Sequence, residues 1–456
     1  MFFRFQLKLA SFLLIFLVFG CTGENKMEST PGTTSRTNDQ NPVETKAGGN
    51  TVSSSHTPVF SSQSGNKHLH KIPRHKINSI DKVGKKLKEE CRKQGKKDLY
   101  WCVITKKFTS QKKMRYGDKI PLYYLKNASE MKNLQKVELY KVKITQQIFS
   151  FLKNIKNLKS LVIENGNLNN AGIEYLGNLA SLQKLVIEDT NLAEVKTAPL
   201  YNLKQLGYLS FVGTGIKDDA LKGINKLANL ISLDLQRTPL TQNATRYLLS
   251  LQKLKHLDLG QTSINDEAFK KLASITSLRW LNLRGTGISD KGLAYLVAAE
   301  NLVYLNLSHT KITNDGLDHL KNSKKLRSLY LNHNKIGDKG LKTIKNISKL
   351  QNLGLTDCNI SGKGLQYLVE LTDLKWLYLN QNSITDKGIK FLGQLENLEY
   401  LDLSRTYISP EGAKQLSKKL KNTKISYKTL DNSKKMKLIN DLDIKNKNKF
   451  KLKNTK

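Results

Sequence analysis

Three residues with metal-binding side chains recur at one spacing: His309, His333 and Asp357 follow one another at intervals of 24 residues. If each interval corresponds to one coil of a stacked chain, the two imidazoles and the carboxylate line up within reach of one metal ion. A ladder that arises by chance is the alternative, and it is the interpretation we adopt. The sequence therefore predicts no metal site.

Other residues of catalytic type do not form a catalytic pattern. The sequence contains no G-x-S-x-G, no H-E-x-x-H and no complete phosphate-binding loop. The nearest approach to that loop is residues 361–364 (SGKG), where glycine stands in place of the required serine or threonine. His68, His70 and His75 form a cluster, but their basic segment repels cations. We predict no enzyme activity and no cofactor.

The element that positions these residues is a unit of 24 residues, which repeats twelve times without a gap over residues 134–421. A fixed period of this length indicates a stacked, one-dimensional architecture. Positions are counted below from the first residue of each unit, taken as zero. Every unit begins with leucine: Leu134, Leu158, Leu182, Leu206, Leu230, Leu254, Leu278, Leu302, Leu326, Leu350, Leu374 and Leu398.

Hydrophobic spacing within the unit predicts a strand, a turn and a helix. Apolar residues at positions 3 and 5 have the strand period of two, and those from position 15 onward have helical spacing. Position 8 is threonine in most units, and we expect it to hydrogen-bond the turning backbone of the next coil. Small residues at position 14 allow close packing of the helix start; Ile148 and Lys196 depart from this, which predicts irregularity in units one and three.

These positions resemble the leucine-rich repeat, L-x-x-L-x-L-x-x-T/N-x-I-T-D-x-G-L-x-x-L. Residues 384–389 (ITDKGI) are similar to the helical-convex subclass seen in bacterial proteins and in F-box adaptors. The resemblance covers roughly residues 134–427 and implies an α/β solenoid, or horseshoe, with a parallel concave sheet, convex helices and an N-terminal cap. Because functions in this family vary, the resemblance does not identify a ligand.

Outward residues of the strands, at positions 2, 4, 6 and 7, should form the concave face. Aromatic residues are frequent there, together with asparagine and arginine, which is the composition of a binding hot spot. The alternative is that the aromatic rings only pack on one another across the sheet. We favour a binding site for a protein or glycan, composed of Tyr208, Trp280, Arg284, Tyr304, Tyr330, Trp376, Tyr378 and Tyr400.

The N-terminus has the features of an exported, lipid-anchored protein. Residues 1–20 carry Arg4 and Lys8 before an apolar run, as in a secretory signal. The run ends at Cys21, which resembles a bacterial lipoprotein processing site; an uncleaved anchor helix with an incidental cysteine is the alternative. Residues 21–66 are rich in Ser, Thr, Asn and Gly and predict a disordered tether that carries the lipidated cysteine.

Basic segments flank the repeats. Residues 67–133 predict a cap that covers the first coil, as repeat stacks require. Cys91 and Cys102 lie in this cap, and export permits a disulfide between them; two free core thiols are the alternative. Residues 422–456 continue as a terminal strand and a basic tail.

A net charge of +38 suggests a polyanionic partner, but export separates the protein from most nucleic acid, so we predict no nucleic-acid binding. A lysine-rich solvated surface is the simplest explanation of this charge. The sequence predicts a monomeric bacterial lipoprotein of the outer membrane or cell surface, bound to the membrane by its lipid anchor, which binds a macromolecule on its concave face. Adhesion to anionic glycans or lipids through the cap and tail, or a structural spacer role, are the alternatives.

Overall fold

The computed structural model describes residues 113–117, 133–298 and 300–428. The signal segment 1–20, Cys21 with its tether, the cysteine pair Cys91 and Cys102, and the tail beyond 428 lie outside the described residues. No helix in the described part is long and apolar enough to cross a membrane.

A single parallel sheet of fourteen strands, paired in chain order, runs through the described residues. The strands are β1 Lys113–Gly117, β2 Lys136–Tyr140, β3 Ser160–Glu164, β4 Lys184–Glu188, β5 Tyr208–Ser210, β6 Ser232–Asp234, β7 His256–Asp258, β8 Trp280–Asn282, β9 Tyr304–Asn306, β10 Ser328–Tyr330, β11 Asn352–Gly354, β12 Trp376–Tyr378, β13 Tyr400–Asp402 and β14 Lys424–Ser426. β14 is the terminal strand expected from the sequence.

The repeat sets the register of this sheet. From β2 onward, each residue pairs with its equivalent in the next unit of the chain, as Leu305 does with Leu329. Both of these leucines are completely buried, as are most leucines at positions 0, 3 and 5. One continuous core therefore runs between the sheet and the helices, and each leucine in it contacts both neighbouring coils.

Strand β1 was not anticipated, although it falls within the predicted cap. Met114 pairs with Val137, and Tyr116 pairs with Leu139, so the offset is one position shorter than the repeat interval. Because the spacing departs from the repeat and no leucine stands at the start of the segment, the repeat pattern in the sequence does not predict this strand. The sheet thus extends one strand further toward the N-terminus than the twelve units.

Helical segments on the other side of the coils are short. The α-helices are α1 Gln146–Asn154, α2 Asn170–Gly177, α3 Thr245–Leu248, α4 Asp266–Leu272, α5 Asp290–Leu293, α6 Gly337–Ile344, α7 Ile389–Leu392 and α8 Pro410–Lys419. The 3-10 helices are Ala198–Asn202, Asp218–Leu221, Ile224–Lys226, Gln242–Ala244, Ala294–Ala298, Gly316–Leu320, Gly364–Leu368 and Asp386–Gly388. Four units, the third, fourth, eighth and tenth, contain only 3-10 turns.

The irregularity expected at two units is found in one of them. In unit three, which holds Lys196, the helical part begins later than in any other unit, at position 16, with the 3-10 helix Ala198–Asn202, and the Tyr201 ring is fully buried. Unit one instead forms the regular helix α1, in which Ile148 is buried and Thr145 caps the N-terminus. An apolar side chain at position 14 is tolerated there because it enters the core.

The hydroxyl at position 8 serves its own coil, contrary to expectation. Thr262 and Thr286 each donate to the carbonyl three residues earlier, at 2.6 Å. Bonds to the preceding coil are made by the asparagine variants and by two other residues at this position. Asn382 donates to Leu355 and accepts from the backbone N–H of Cys358 at 3.0 Å. The Thr190 hydroxyl accepts from the Gly166 N–H at 2.9 Å, and the Cys358 thiol donates to the Leu331 carbonyl at 3.1 Å. An amide has a second donor that a hydroxyl lacks, so Asn382 also donates to the Leu379 carbonyl of its own coil.

Neighbouring coils are joined by a recurring pair of hydrogen bonds, called here the Asp clamp. An aspartate at position 12 accepts the backbone N–H and the hydroxyl of the serine or threonine at position 11 of the next coil. For Asp266 and Ser289 the distances are 2.8 and 2.5 Å. Five clamps occur in the described residues: Asp218–Thr241, Asp266–Ser289, Asp290–Thr313, Asp338–Ser361 and Asp386–Ser409.

Four of these clamps also explain the glycine at position 14. A Cβ at Gly292 would collide with the Asp266 carboxylate, and one at Gly316 with that of Asp290. The same holds for Gly364 with Asp338 and for Gly412 with Asp386. In these four units a carboxylate from the preceding coil occupies the space that a side chain at position 14 would take, whereas Ala244 stands at this position beside the fifth clamp, Asp218–Thr241.

Candidate functional site on the concave sheet

Position 7 is part of a left-handed turn rather than of the strand. All twelve residues at this position have positive φ, and ten of them are not glycine; His309 has φ 56° and Arg405 has φ 58°. Left-handed backbone costs a residue with a Cβ roughly 1–2 kcal/mol. The side chains at position 7 therefore form a ladder along the rim of the sheet, and positions 2, 4 and 6 form its face.

Six of the aromatic residues expected on this face are joined in one chain of ring contacts, called here the aromatic chain: Trp280, Tyr304, Tyr330, Tyr378, Tyr400 and Trp376. Ring centroids are 4.6 Å apart for Trp280 and Tyr304, with the planes inclined by 14°. The remaining centroid distances along the chain are 5.4, 6.4, 5.5 and 5.7 Å. These rings span units seven to twelve.

Gly354 keeps the chain continuous. It occupies position 4 in unit ten, between Tyr330 of unit nine and Tyr378 of unit eleven. A Cβ at Gly354 would lie 2.6 Å from Cδ1 of Tyr330. The missing side chain lets the two tyrosine rings, which belong to units that are not adjacent, meet above the glycine. No local pattern in the sequence indicates this contact.

Exposure increases along the aromatic chain toward its C-terminal end. Burial raises the pKa of Tyr304 and Tyr378 and raises the pKa of Tyr330 to about 12. Trp376 is 37% exposed. The N-terminal part of the chain is thus packed, and its C-terminal end presents a large, oriented apolar side chain to solvent.

Tyr208 and Arg284, also expected in the site, lie outside the aromatic chain. Lys184 places its Nζ 3.9 Å from the Tyr208 ring centroid, and burial lowers the pKa of this lysine. Ser232 and His256 separate Tyr208 from Trp280 at position 2. Arg284 lies beside the chain at position 6, with burial lowering its pKa.

Asp234 and Asp258 form a pair of half-buried carboxylates that the sequence pattern did not mark as a special feature. They occupy position 4 of adjacent strands. Asp258 accepts hydrogen bonds from the Asn282 amide at 3.0 Å and the Gly260 N–H at 2.8 Å. Burial raises the pKa of Asp258 to about 6, and burial together with the charge of Asp258 raises the pKa of Asp234. The sequence signal that could have identified this pair is the recurrence of aspartate at the same position of consecutive units.

In the ladder of His309, His333 and Asp357, the two histidine rings stack and His333 hydrogen-bonds Asp357. The two imidazole rings are 4.0 Å apart, and His333 Nδ1 lies 3.1 Å from Asp357 Oδ2. Burial, Arg284 and His333 lower the pKa of His309 to about 4. Within the described ranges, no group of three His, Cys, Asp or Glu side chains is arranged to hold a metal ion.

The face is nearly free of lysine, in a chain that carries 76 lysine and arginine residues. Between Lys184 and Lys424, no lysine occurs at positions 2, 4, 6 or 7 of any unit. Arg237, Arg284 and Arg405 are the arginines of this strip, and Arg237 pairs with Asp189 at 2.7 Å. The net positive charge of the protein is therefore located elsewhere.

Parallel strands in register, short helices and one continuous core define the fold of a leucine-rich repeat solenoid. The family model described as Leucine Rich repeat matches residues 274–297, 298–320, 322–345 and 394–417. Proteins with such repeats generally bind other proteins and act without catalysis. A search of curated proteins gave no match.

Solved structures of similar fold include bacterial leucine-rich repeat proteins. The internalin inlF of Listeria monocytogenes has a TM-score of 0.54 at 24% identity, covering 76% of this chain and 95% of that chain. A leucine-rich repeat protein of Leptospira interrogans has 0.40 at 19%, covering 69% and 100%. The internalin inlC2 of Listeria monocytogenes has 0.38 at 29%, covering 44% and 83%.

Proposed function

We propose that this chain is a lipid-anchored protein of the bacterial cell envelope that binds a protein partner on units seven to twelve of its concave sheet. The observation that carries the proposal is the aromatic chain lying in a strip without lysine. Protein interfaces are enriched in tyrosine, tryptophan and arginine and depleted of lysine, and tryptophan and tyrosine are frequent at their energetic centre.

The orientation of the rings favours a protein over a glycan. Trp280 and Tyr304 are stacked with their planes nearly parallel, so each ring face covers the other. A sugar ring would need an open aromatic face, whereas a protein segment can contact ring edges and hydroxyl groups. The partner's anchor side chain would lie against Trp376, which is the most exposed member of the chain.

Rigid presentation of this face would lower the entropic cost of binding. Each strand is fixed on both sides by its neighbours, and the Asp clamps fix the helical side of the coils. Because the site is organised before the partner arrives, little conformational freedom is lost on association. The protein would act as a monomer, since the whole sheet face then stays available to a partner.

The envelope location rests on the N-terminal sequence. Residues 1–20 have the charge and apolar run of a secretory signal, and Cys21 follows directly. More than one acyl chain is needed for stable anchoring, because a single chain binds membranes only marginally. In this proposal, Cys21→Ala releases the protein from the detergent phase or blocks its processing; mass spectrometry that finds residues 1–20 intact would contradict it.

Partner binding is tested by comparing two variants of the full chain as baits. Trp376→Ala with Tyr400→Ala removes the exposed end of the aromatic chain, and Lys311→Ala, on the exposed part of the same solenoid, is the control. Baits are incubated with envelope proteins of the producing organism and with a glycan array. Affinity for the captured protein should fall by roughly 30-fold or more in the double variant and stay unchanged in the control.

Two outcomes would overturn this assignment. Equal capture by both variants would place the binding site elsewhere. Loss of glycan binding without any protein capture would make the concave face a glycan site.

A further inference from the structure

One coil boundary keeps the donors of an Asp clamp but lacks its acceptor. At the boundary between units ten and eleven, Thr385 stands at position 11, and the preceding coil has Gly362 where the aspartate would be. The Thr385 side chain does not cap the following 3-10 helix, Asp386–Gly388, either. Among the boundaries of the described solenoid that carry serine or threonine at position 11 and a described coil before it, this one alone lacks the carboxylate.

The missing side chain leaves an open cleft. Gly388, at position 14, corresponds to the glycine that makes room for the clamp aspartate elsewhere, and it is retained here opposite Gly362. A Cβ on Gly362 would be 3.3 Å from the Gly388 nitrogen, so the two backbones form the floor. The cleft has a volume of about 660 Å³ and lies on the helical side of the coils, away from the aromatic chain.

Positive charge surrounds this cleft. Lys363, Lys387 and Lys390 line it, and all three are exposed. None of them forms an ion pair among the described residues, and Lys390 lies 4.8 Å from the Phe391 ring centroid. The carboxylates at position 12 of the coils on either side are engaged in clamps of their own: Asp338 with Ser361 and Asp386 with Ser409.

We propose that this cleft binds a phosphate or sulfate group carried by a larger molecule. Two oxygens of the group take the place of the absent carboxylate, one accepting the N–H and the other the hydroxyl of Thr385, as the two carboxylate oxygens of Asp266 do from Ser289. The remaining oxygens face the three lysines, and charge-assisted hydrogen bonds of this type are short and strong. A carboxylate ligand would satisfy Thr385 but would leave lysine donors unused.

Cleft size indicates that the anion is part of a larger ligand. A volume of about 660 Å³ lies within the range of small-molecule sites and far exceeds a single tetrahedral oxyanion. The half-buried Phe391 provides an apolar wall for the rest of the molecule. This proposal does not depend on the partner proposed for the concave sheet, because the two sites share no residue.

Gly362→Asp provides the sharpest test, because it supplies the missing carboxylate within the protein. Binding of inorganic phosphate, inorganic sulfate and glycerol phosphate to the full chain is measured by calorimetry at constant ionic strength. Wild type should bind all three, Gly362→Asp should bind none, and Lys387→Ala should bind about tenfold more weakly. Lys339→Ala is the matched control: it occupies the same position 13 beside the intact Asp338–Ser361 clamp, and its binding should equal that of wild type.

Thermal unfolding adds a second readout. Phosphate should raise the unfolding temperature of wild type, and Gly362→Asp should be more stable than wild type without phosphate and insensitive to it. Thr385→Val, which removes only the hydroxyl, decides the question if Gly362→Asp fails to fold. Unchanged phosphate binding in either folded variant, or equal weakening by Lys339→Ala, would show general attraction to a basic surface and overturn the site. Vesicles with and without phosphatidylglycerol then distinguish a lipid headgroup from a soluble ester.

Discussion

The coupling between the Asp clamp and the glycine at position 14 gives a sharp prediction for Asp266 and Gly292. Gly292→Ala should destabilise the protein by about 1–3 kcal/mol, because the new Cβ collides with the Asp266 carboxylate. Asp266→Ala should cost about 2 kcal/mol, since it removes two hydrogen bonds to a charged acceptor at partly exposed positions.

In the double variant, the two costs should not add. Without the carboxylate, the nearest atom to the alanine Cβ is Cγ2 of Ile288, at 3.1 Å, which a small side-chain movement relieves. Alanine is favoured over glycine in a helix by about 0.5–1 kcal/mol. Gly292→Ala should therefore be nearly neutral in the Asp266→Ala background, which corresponds to a coupling energy of at least about 1 kcal/mol.

Urea unfolding of the full chain, followed by circular dichroism, measures all four proteins of this cycle. The slope of the unfolding free energy against urea concentration must be the same in all four proteins, so that differences in midpoint convert to differences in free energy. Gly340→Ala is the control, because it lies in a different environment, against Ile336 and Leu317, and its cost should be the same with and without Asp266. If Gly292→Ala costs as much without Asp266 as with it, the glycine is required for another reason and the clamp argument is refuted.

Other predictions concern titration and the core. Because the folded pKa of Asp258, about 6, lies above its unfolded value of about 3.9, its contribution to stability is present at low pH and is lost as pH rises through 6. A pKa difference of about two units corresponds to at most about 3 kcal/mol, and partial water access reduces this to about 1–2 kcal/mol. The stability difference between wild type and Asp258→Asn should change by that amount between pH 4 and 7, and a constant difference would contradict the assignment. In urea unfolding, Leu305→Ala should lower the free energy of unfolding by about 2–5 kcal/mol and Lys311→Ala by under about 0.5 kcal/mol. Similar losses for the two variants would mean that the wrong positions of the repeat were assigned to the core.

Several features were predictable from sequence because they depend on one short pattern. The constant repeat period sets the strand register, and the phase of the leucines sets which side is buried, since each coil can hide its apolar face only against identical neighbours. The residues of the aromatic chain followed from the same phase. A terminal strand at Lys424–Ser426 followed in the same way.

Other features depend on contacts between residues that lie one or two coils apart, and only the folded chain places them together. The sequence pattern assigned position 7 to the strand, while the structure turns it into a left-handed rim. Because Gly354 has no side chain, two tyrosine rings from units that are not adjacent meet above it. Because Gly362 has no side chain, a cleft opens between two coils. The increase in exposure along the aromatic chain could not be predicted from the sequence either, because it depends on how neighbouring side chains cover each ring. The sequence thus determined the coil and its repetition, and the tertiary structure decided which side chains meet across coil boundaries, since those contacts depend on distance in space.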